Sequence, residues 1–365
     1  MKVRRRELLG AGLAMPALSF LPRLVVAAPA FAPRPSAWRT FEVTTRIVIP
    51  NDSTPARAWV PLPHTEESDW FRPLENRWSG NGEFSLAKDP RYGAEMLAAS
   101  WSAGEEPVLE TVSRFATRDR ATDFSKPGDA APLSAEEVRH YTAATELIPI
   151  DGIVKETADR IVAGAGSDLE KARRIYDWVV ENTFREPSVR GCGLGDVASM
   201  LHVGDLGGKC ADLNALYVGL ARAAGLPARD VYGIRVGPSQ FGYNSLGANS
   251  ETITKAQHCR AEVFISGWGW VPVDPADVRK VMLEEPPGGL PADDPKVQAV
   301  RRALFGGWET NWLPYNTAHD VKLPGSSAPP LGFLMYPQAE TAAGMLDPLE
   351  PDRFRYEIRA REIPA

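Results

Sequence analysis

The segment from Gly207 to Tyr217, GGKCADLNALY, places two glycines and a cysteine directly before a helical run. The spacing predicts a helix over 211–224, which Gly225 ends. The apolar residues of this helix recur on one face, so the helix is expected to be buried: Leu213, Leu216, Tyr217 and Leu220. A buried helix with the thiol of Cys210 at its start is the feature around which the rest of the chain must be arranged.

A thiol in this position has the features of a nucleophile. Only the thiolate attacks well, and the positive end of a helix dipole lowers a thiol pKa. The glycines before Cys210 allow close backbone approach, and N–H groups at a helix start can hold an oxyanion. A neighbouring imidazole would complete the activation, and the chain has five histidines. They are His64, His140, His202, His258 and His319.

His258 is the best placed of these histidines. It opens a strand predicted over 258–265, which a turn at 266–269 joins to a second strand over 270–273. In an antiparallel hairpin with this turn, residue 258 pairs with residue 275, so Asp274 is a near neighbour. Asp274 would then orient the imidazole and stabilise its cation. The sequence therefore predicts a catalytic Cys210, His258 and Asp274, although each residue taken alone fits an ordinary structural role.

The flanking sequence predicts several units. Residues 38–49 and 108–117 alternate as half-buried strands, which makes 38–120 a β-rich N-terminal domain. A linker over 121–133 precedes helix start signals at Ser134, Asp151 and Ser167, and the catalytic domain is assigned to 135–280. The remainder, 281–365, is a C-terminal extension with a final strand near 353–358. Long loops are expected at 185–208 and 284–295, and a mobile flap at 237–255.

Residues 1–30 are interpreted as an export signal. Arg4, Arg5 and Arg6 precede an apolar stretch, and small residues near position 30 offer cleavage sites. Arg5 and Arg6 favour the twin-arginine type, although an ordinary secretory signal or an uncleaved anchor fits too. Removing residues 1–28, with five basic residues and one acidic residue, would take the formal charge from −6 to −10. A periplasmic or secreted location is therefore expected, with no stable membrane insertion after signal removal.

Three cysteines are an odd number for an exported chain, so they do not form a disulfide framework. One pair with a free thiol, or three free thiols, both fit. A Cys192–Cys259 disulfide or an oxidised Cys210 also stays open. A zinc site built from Cys192, Cys210, His258 and Cys259 is disfavoured, because the spacing matches no common module and adjacent strand residues face opposite ways. We expect no metal and no cofactor.

Several segments together resemble the transglutaminase-like superfamily. Residues 208–213 and 220–229 resemble its nucleophile helix, and 258–263 with 269–275 resemble its histidine and aspartate strands in the same Cys–His–Asp order. Residues 175–179 resemble the helix upstream, so the match covers about 140–280. One departure is Cys259 followed by Arg260, where an Ala-Trp pair is common. This departure bears on the wall that faces substrate.

The resemblance implies an α+β fold, with a papain-like core of helices packed on an antiparallel sheet after the β-rich N-terminal domain. By position it makes Cys210 the nucleophile, His258 the general base and acid, and Asp274 the residue that orients His258. Family members act on amide carbonyls through a thioester, which water or an amine resolves.

Two functions fit these features. The first is a cysteine-dependent hydrolase, protease or acyltransferase acting on peptide or isopeptide amides. The second is a catalytically silent member that binds a peptide or a cell-wall partner. The expected partner is a protein or peptide substrate, and nucleic acid is excluded because the chain has no basic excess. The substrate, the choice between hydrolysis and transamidation, and the oligomeric state are not set by the sequence.

Overall fold

The computed structural model describes residues 30–50, 53–63, 68–350 and 354–364. Within these ranges the protein is a mixed α+β structure whose strands pair almost entirely antiparallel, with a β-rich N-terminal region. The fold class expected from the sequence is confirmed. The export signal assigned to 1–30 lies outside the described residues except for its last position. No helix of the described ranges is both long and apolar enough to cross a bilayer.

The core sheet carries the segments identified as site-bearing. Its strands are β10 (Ala228–Arg235), β11 (Gln257–Ile265), β12 (Gly269–Val273) and β14 (Trp312–Asn316). They lie in the order β12-β11-β10-β14, and every pair is antiparallel. β11 and β12 form the predicted hairpin, with Ile265 opposite Gly269.

Seven helices surround this sheet in the described ranges. They are α1 (Ala135–Thr142), α2 (Gly152–Val162), α3 (Asp168–Asn182), α4 (Val197–Val203), α5 (Cys210–Ala223), α6 (Pro275–Glu284) and α7 (Pro295–Ala303). The predicted start signals hold at Ser134, which forms a full capping box, and at Ser167, whose side chain accepts the N–H of Glu170. Asp151 occupies the cap position of α2 but makes no side-chain bond there.

Helix α5 is the centre of the molecule. Every residue from Cys210 to Ala223 is buried, because helices pack on one side and the core sheet on the other. The helix is enclosed all round, and its charged and amide side chains, Asp212, Asn214 and Arg222, each make hydrogen bonds within the protein. Gly225 lies two residues after the end of α5 and has a φ of +83°, the left-handed conformation that commonly terminates a helix.

Two further sheets form the β-rich region. Their N-terminal strands are β1 (Arg39–Val48), β2 (Ala56–Pro61), β3 (Phe71–Gly80), β4 (Glu83–Lys88), β5 (Glu95–Trp101) and β6 (Val108–Thr117). The C-terminal segment supplies β17 (Gln338–Thr341), β18 (Gly344–Leu346) and β19 (Arg355–Ile363). One sheet has the order β19-β1-β6-β3 and the other β18-β17-β2-β5-β4. The boundaries 38–120, 135–280 and 281–365 stay predictions, while strand pairing runs across them.

The remaining strands are short pairs that fasten one part of the chain to another. They are β7 (Arg120–Ala121) with β13 (Gly307–Trp308), the parallel pair β8 (Phe184–Arg185) with β9 (Gly207–Gly208), and β15 (His319–Val321) with β16 (Leu331–Phe333). The segment 185–208, expected as a loop, contains α4, which Asp196 caps and Gly204 ends.

The segment 237–255, expected as a mobile flap, packs into the protein. It contains a 3₁₀ turn at Asn244–Leu246, in which Ser245 and Leu246 are buried. Ser245 donates from its N–H and its hydroxyl to Glu285, at 3.0 and 2.8 Å. The guanidinium of Arg235 donates to the Leu246 carbonyl. The Gly-, Ser- and Asn-rich composition predicted a mobile flap, but these buried partners anchor the segment instead.

Candidate active site

Cys210 is the first residue of α5 and borders a cleft of about 530 Å³. Its side chain is 5 % exposed. The thiols of Cys192 and Cys259 and the imidazole of His258 surround it. Hydrogen bonding to Cys192 first, then to Cys259 and His258, lowers the pKa of Cys210 well below its ordinary value, although burial alone would raise it. The site therefore favours a thiolate at this position.

His258 and Asp274 form a short hydrogen bond. His258 Nε2 lies 2.7 Å from Asp274 Oδ2, and both side chains are buried. The β11–β12 ladder ends at the pair of Ala261 and Val273, so Asp274 stands one residue beyond it. There it caps α6, accepting the N–H of Asp277 at 3.1 Å. The structure thus brings the three predicted site residues together, with Cys210 and His258 lining the cleft and Asp274 behind them.

A second carboxylate, which the sequence did not single out, faces His258. Asp277 Oδ2 lies 3.3 Å from His258 Nε2, on the first turn of α6. Arg235 holds this carboxylate with two bonds of 2.6 and 2.8 Å. The spacing of Asp274 and Asp277 was the available signal, because residues three apart at a helix start share a face.

The two carboxylates change the titration of His258. Burial and the Arg235 charge lower its pKa, but Asp277 and Asp274 outweigh them and raise it to about 9. Against burial, Arg235 holds the pKa of Asp277 well below its usual range. Burial and the charge of Asp277 raise the pKa of Asp274. A charged imidazolium beside a thiolate is the state that these shifts favour.

Asp212 fastens the loop before α4 to the start of α5. Its carboxylate accepts the N–H groups of Leu194, Gly195 and Lys209, each at 2.9 Å. The contacts give Asp212 a positioning role, because the same loop brings Cys192 beside Cys210.

Asn214 lies one turn after Cys210 and supports Asp274 from the helix side. Its amide donates to the Cys259 carbonyl at 2.8 Å and to Asp274 Oδ1 at 3.3 Å. Arg260 approaches Asp274 from the sheet, with its Nε 3.6 Å from Oδ2. Arg260 is buried, so the departure at Cys259 and Arg260 affects the support of Asp274 rather than the wall facing substrate.

The tryptophans near the site have structural roles. Trp308 and Trp312 are fully buried, and their indoles donate to the carbonyls of Val273 and His258 at 3.2 and 3.0 Å. Asn311 is also buried and bonds two carbonyls of the 237–255 segment. His202 lies exposed on α4, and His319 is buried on β15.

All three cysteines carry free thiols, so the alternative of a Cys192–Cys259 disulfide is not what the structure contains. For metal binding, the group of donors within 4.8 Å of one another in the described ranges is His258, Asp274 and Asp277. These side chains are already hydrogen-bonded: His258 to Asp274, and Asp277 to Arg235. A cation would have to displace these contacts. The arrangement fits proton transfer and charge stabilisation better than a metal centre.

Comparisons with known proteins identify the family. The family model of the transglutaminase-like superfamily matches residues 155–275. An uncharacterized protein of Haemophilus influenzae is 35% identical over 341 residues, which cover 88% of this chain and 91% of that one. The chain belongs to the transglutaminase-like superfamily.

Two solved structures are similar to this protein to different degrees. The crystal structure of a candidate cysteine protease from Cytophaga hutchinsonii covers 90% of this chain and 99% of its own, with a TM-score of 0.51 and 14% identity. The periplasmic domain of TgpA from Pseudomonas aeruginosa covers 68% of this chain and 90% of its own, with a TM-score of 0.35 and 13% identity. The first of these likenesses shows a shared architecture over nearly the whole chain.

Proposed function

We propose that this protein is a cysteine-dependent acyl-transfer enzyme that acts on peptide or isopeptide amides through a thioester. Cys210 is the nucleophile, His258 the general acid and base, and Asp274 the group that orients His258. The observation that carries the proposal is the 2.7 Å contact of His258 with Asp274, beside a thiol at the start of a buried helix.

The reaction begins with the Cys210 thiolate attacking the amide carbonyl carbon, which forms a C–S bond and an oxyanion. The His258 imidazolium gives its proton to the nitrogen as the C–N bond breaks, and the amine leaves. Water or an acceptor amine then attacks the thioester while His258 takes its proton. The C–S bond breaks and the thiolate returns.

The oxyanion needs a donor at the helix start. The amide of Lys209 donates to Asp212, and the amide of Ala211 donates to the Cys192 carbonyl at 2.9 Å. The amide of Cys210 lies between these two, and we assign the oxyanion contact to it. Donors fixed in this way stabilise the transition state without reorganising during the reaction.

Alkylation of Cys210 by iodoacetamide, followed by peptide mapping, tests the proposal. We expect a fast reaction that persists down to about pH 6, because the thiolate is stabilised below the ordinary cysteine pKa. His258→Ala should slow the reaction at that pH about tenfold or more, since the partner cation is lost. A Cys210 that reacts like free cysteine in both proteins would contradict the proposal.

Catalysis is tested by trapping and by loss of function. Incubation of the wild type with an extract of the producing cell should leave an acyl adduct on Cys210, detected by mass spectrometry. Cys210→Ala should lose the adduct and all turnover. If wild type and Cys210→Ala behave identically in every substrate screen, the protein is a binding module instead.

We also propose export through the twin-arginine pathway, which carries folded cargo. The support is the Arg5-Arg6 pair ahead of an apolar stretch. Replacing both arginines by lysines should leave the protein in the cytoplasm in cell fractionation. Undiminished export of the double lysine variant would favour an ordinary secretory signal.

A further inference from the structure

The cleft beside Cys210 is lined by positive charge. Six of its lining side chains are Lys or Arg, and in the described part of the chain no Asp or Glu lines it. This is unexpected for a protein whose formal net charge is −6. The six are Arg185, Arg190, Lys209, Arg235, Lys255 and Lys280.

Three of these cations already have acidic partners behind the cleft wall. Arg235 is bound to Asp277 in a buried pair. Arg185 and Lys280 share one carboxylate, Glu284, so that this group of two cations keeps an excess positive charge. Their positions are fixed by these bonds, which leaves them ordered at the cleft surface.

The other cations differ in how they are neutralised. Arg190 pairs with Asp347 and Glu350 at the outer rim. Lys209 and Lys255 form no ion pair within the described ranges. Both line the cleft, and in sequence Lys209 directly precedes Cys210 while Lys255 stands three residues before His258.

Glu186 is close enough to Lys209 for their charges to interact, but its carboxylate accepts the Ser188 N–H instead. The two cleft lysines without an ion-pair partner in the described ranges therefore belong to the segments that carry Cys210 and His258.

Another part of the cleft lining is apolar and aromatic. It consists of side chains from the C-terminal segment, and these offer contact area rather than charge: Tyr336, Leu349, Phe354 and Tyr356. A cleft of about 530 Å³ has room for a few residues of a peptide. Its shape and charge together select for a chain that carries an anion beside the reacting carbonyl.

We propose that the substrate is an acidic peptide or isopeptide, with a carboxylate next to the amide that Cys210 attacks. This inference rests on the proposed function and adds its substrate class. Fixed cations attract an anionic substrate and hold its carboxylate, and salt weakens their long-range effect. The carboxylate comes either from an Asp or Glu side chain or from a chain terminus, since both present the same oxygens to Lys209 and Lys255.

A pair of alkylating agents that differ in charge tests the inference at Cys210 itself. Iodoacetate carries a carboxylate, whereas iodoacetamide is neutral and of similar size. We expect the ratio of their rates at Cys210 to exceed the same ratio for glutathione. Added salt should reduce the excess.

Substitutions locate the charge. Lys255→Gln and Lys209→Gln should each lower the iodoacetate to iodoacetamide ratio about twofold to threefold, the effect of one charge several ångströms away in a watery cleft. Lys255→Arg, which keeps the charge, should retain most of the ratio. Lys322→Gln changes an exposed lysine outside the cleft and serves as the matched control.

The outcomes separate the two proposals. A ratio equal to that of glutathione, or one that neither lysine substitution lowers, overturns the acidic substrate while fast iodoacetamide labelling still supports the proposed function. Slow labelling by iodoacetamide that does not depend on His258 overturns both.

Cleavage of four peptide substrates identifies the source of the carboxylate. Matched peptides carry Glu or Gln beside the scissile amide, each with a free or an amidated C-terminus. A preference of about fivefold or more for Glu assigns a side-chain carboxylate, and a preference for the free terminus assigns a terminal one. Equal cleavage of all four peptides overturns the inference.

Discussion

At the scale of single residues, His258 faces two carboxylates rather than one. Asp274 makes the shorter contact, 2.7 Å, and Asp277 lies at 3.3 Å. Arg235 also pairs with Asp277, so the Asp277 carboxylate is shared between Arg235 and His258. We therefore assign Asp277 a positioning role that acts through His258.

The pH dependence follows from these pairs. The imidazolium persists up to about pH 9, above the ordinary histidine pKa of about 6.5, so activity should fall only as pH rises through about 9. The thiolate is lost as pH falls through the lowered pKa of Cys210. A profile of kcat/KM against pH should show both limbs. A fall centred near pH 6.5 on the alkaline side would contradict the ion pair.

Asp277→Asn tests the second carboxylate. The substitution removes a charge that raises the His258 pKa, so the alkaline limb should move to lower pH and kcat/KM at pH 8 should fall about tenfold. Asp168→Asn, on the exposed surface of α3, is the control and should change neither quantity. An unchanged alkaline limb in Asp277→Asn would show that Asp274 alone sets the pKa.

Asp274→Asn should cost less than removal of the nucleophile. An amide keeps the shape of the side chain but no longer stabilises the imidazolium, so kcat should fall about 10²- to 10⁴-fold. Cys210→Ala should leave no turnover above background. If both variants are folded and lose turnover equally, Asp274 does more in the reaction than orient His258.

The sequence alone predicted that Cys210, His258 and Asp274 come together, because each lies within a local pattern of helix start, hairpin or cap, and their catalytic roles stay predictions. It did not identify Asp277 as a partner of His258 or Cys192 as a neighbour of Cys210. Those contacts depend on how α6 and the loop before α4 pack against β11 and α5, and the three-residue spacing of Asp274 and Asp277 was the only local hint of them. Arg260 shows the same limit, since its burial behind Asp274 is a tertiary result.

At the scale of elements, the start of α5 is fixed from outside the helix. Asp212 draws three backbone N–H groups to itself, and the loop that supplies two of them passes so close that a side chain has no room. A Cβ on Gly193 would stand 1.8 Å from Asp212 Oδ2. The element that bears the nucleophile is therefore held by a loop that only glycine allows.

Gly193→Ala should destabilise the protein more than Gly164→Ala. Both glycines have positive φ, +93° and +74°, so both substitutions cost about 1–2 kcal/mol of backbone strain. Only Gly193 adds a clash, worth about 1–3 kcal/mol more, because nothing lies within 4 Å of a Cβ at Gly164. Urea unfolding of both variants measures the difference. Equal losses would mean that Asp212 moves aside freely.

Helix starts and strand alternation were predictable because they depend on neighbours within four residues. The structure of the 185–208 segment was not predictable in this way. Its glycines indicated a loop, although the segment contains the seven-residue helix α4. The polar 237–255 segment was mistaken for a flap because its partners Arg235, Glu285 and Asn311 lie on other elements.

At the scale of the whole molecule, the C-terminal segment contributes both to the N-terminal sheet and to the cleft. β19 completes the N-terminal sheet by pairing with β1, and residues just before it form a wall of the cleft. Ile358 lies in the middle of β19, fully buried, and bonds the 253–254 turn through its backbone. The N-terminal sheet and the cleft are therefore coupled through one strand.

Ile358→Ala tests this coupling. Removing a buried branched side chain should cost about 2–5 kcal/mol of unfolding free energy and also lower turnover, since the cleft wall is attached to the same strand. Glu357→Ala, at the exposed neighbour in the strand, should change stability by less than about 0.5 kcal/mol. Urea unfolding and a labelling assay at Cys210 measure both effects. If Ile358→Ala is less stable but its Cys210 is labelled at the wild-type rate, the sheet and the cleft are not coupled.

The pairing of β1 with β19 also sets an order of events during synthesis. Arg39 and Glu362 bond at 2.7 Å across 323 positions of the chain. A ribosome adding roughly 5–20 residues per second needs about 15 to 65 seconds to cover that separation. Throughout this interval the β1 edge has no β19 partner and the cleft lacks its aromatic wall. The nascent chain is therefore expected to be inactive and to expose that strand edge until the last strand emerges.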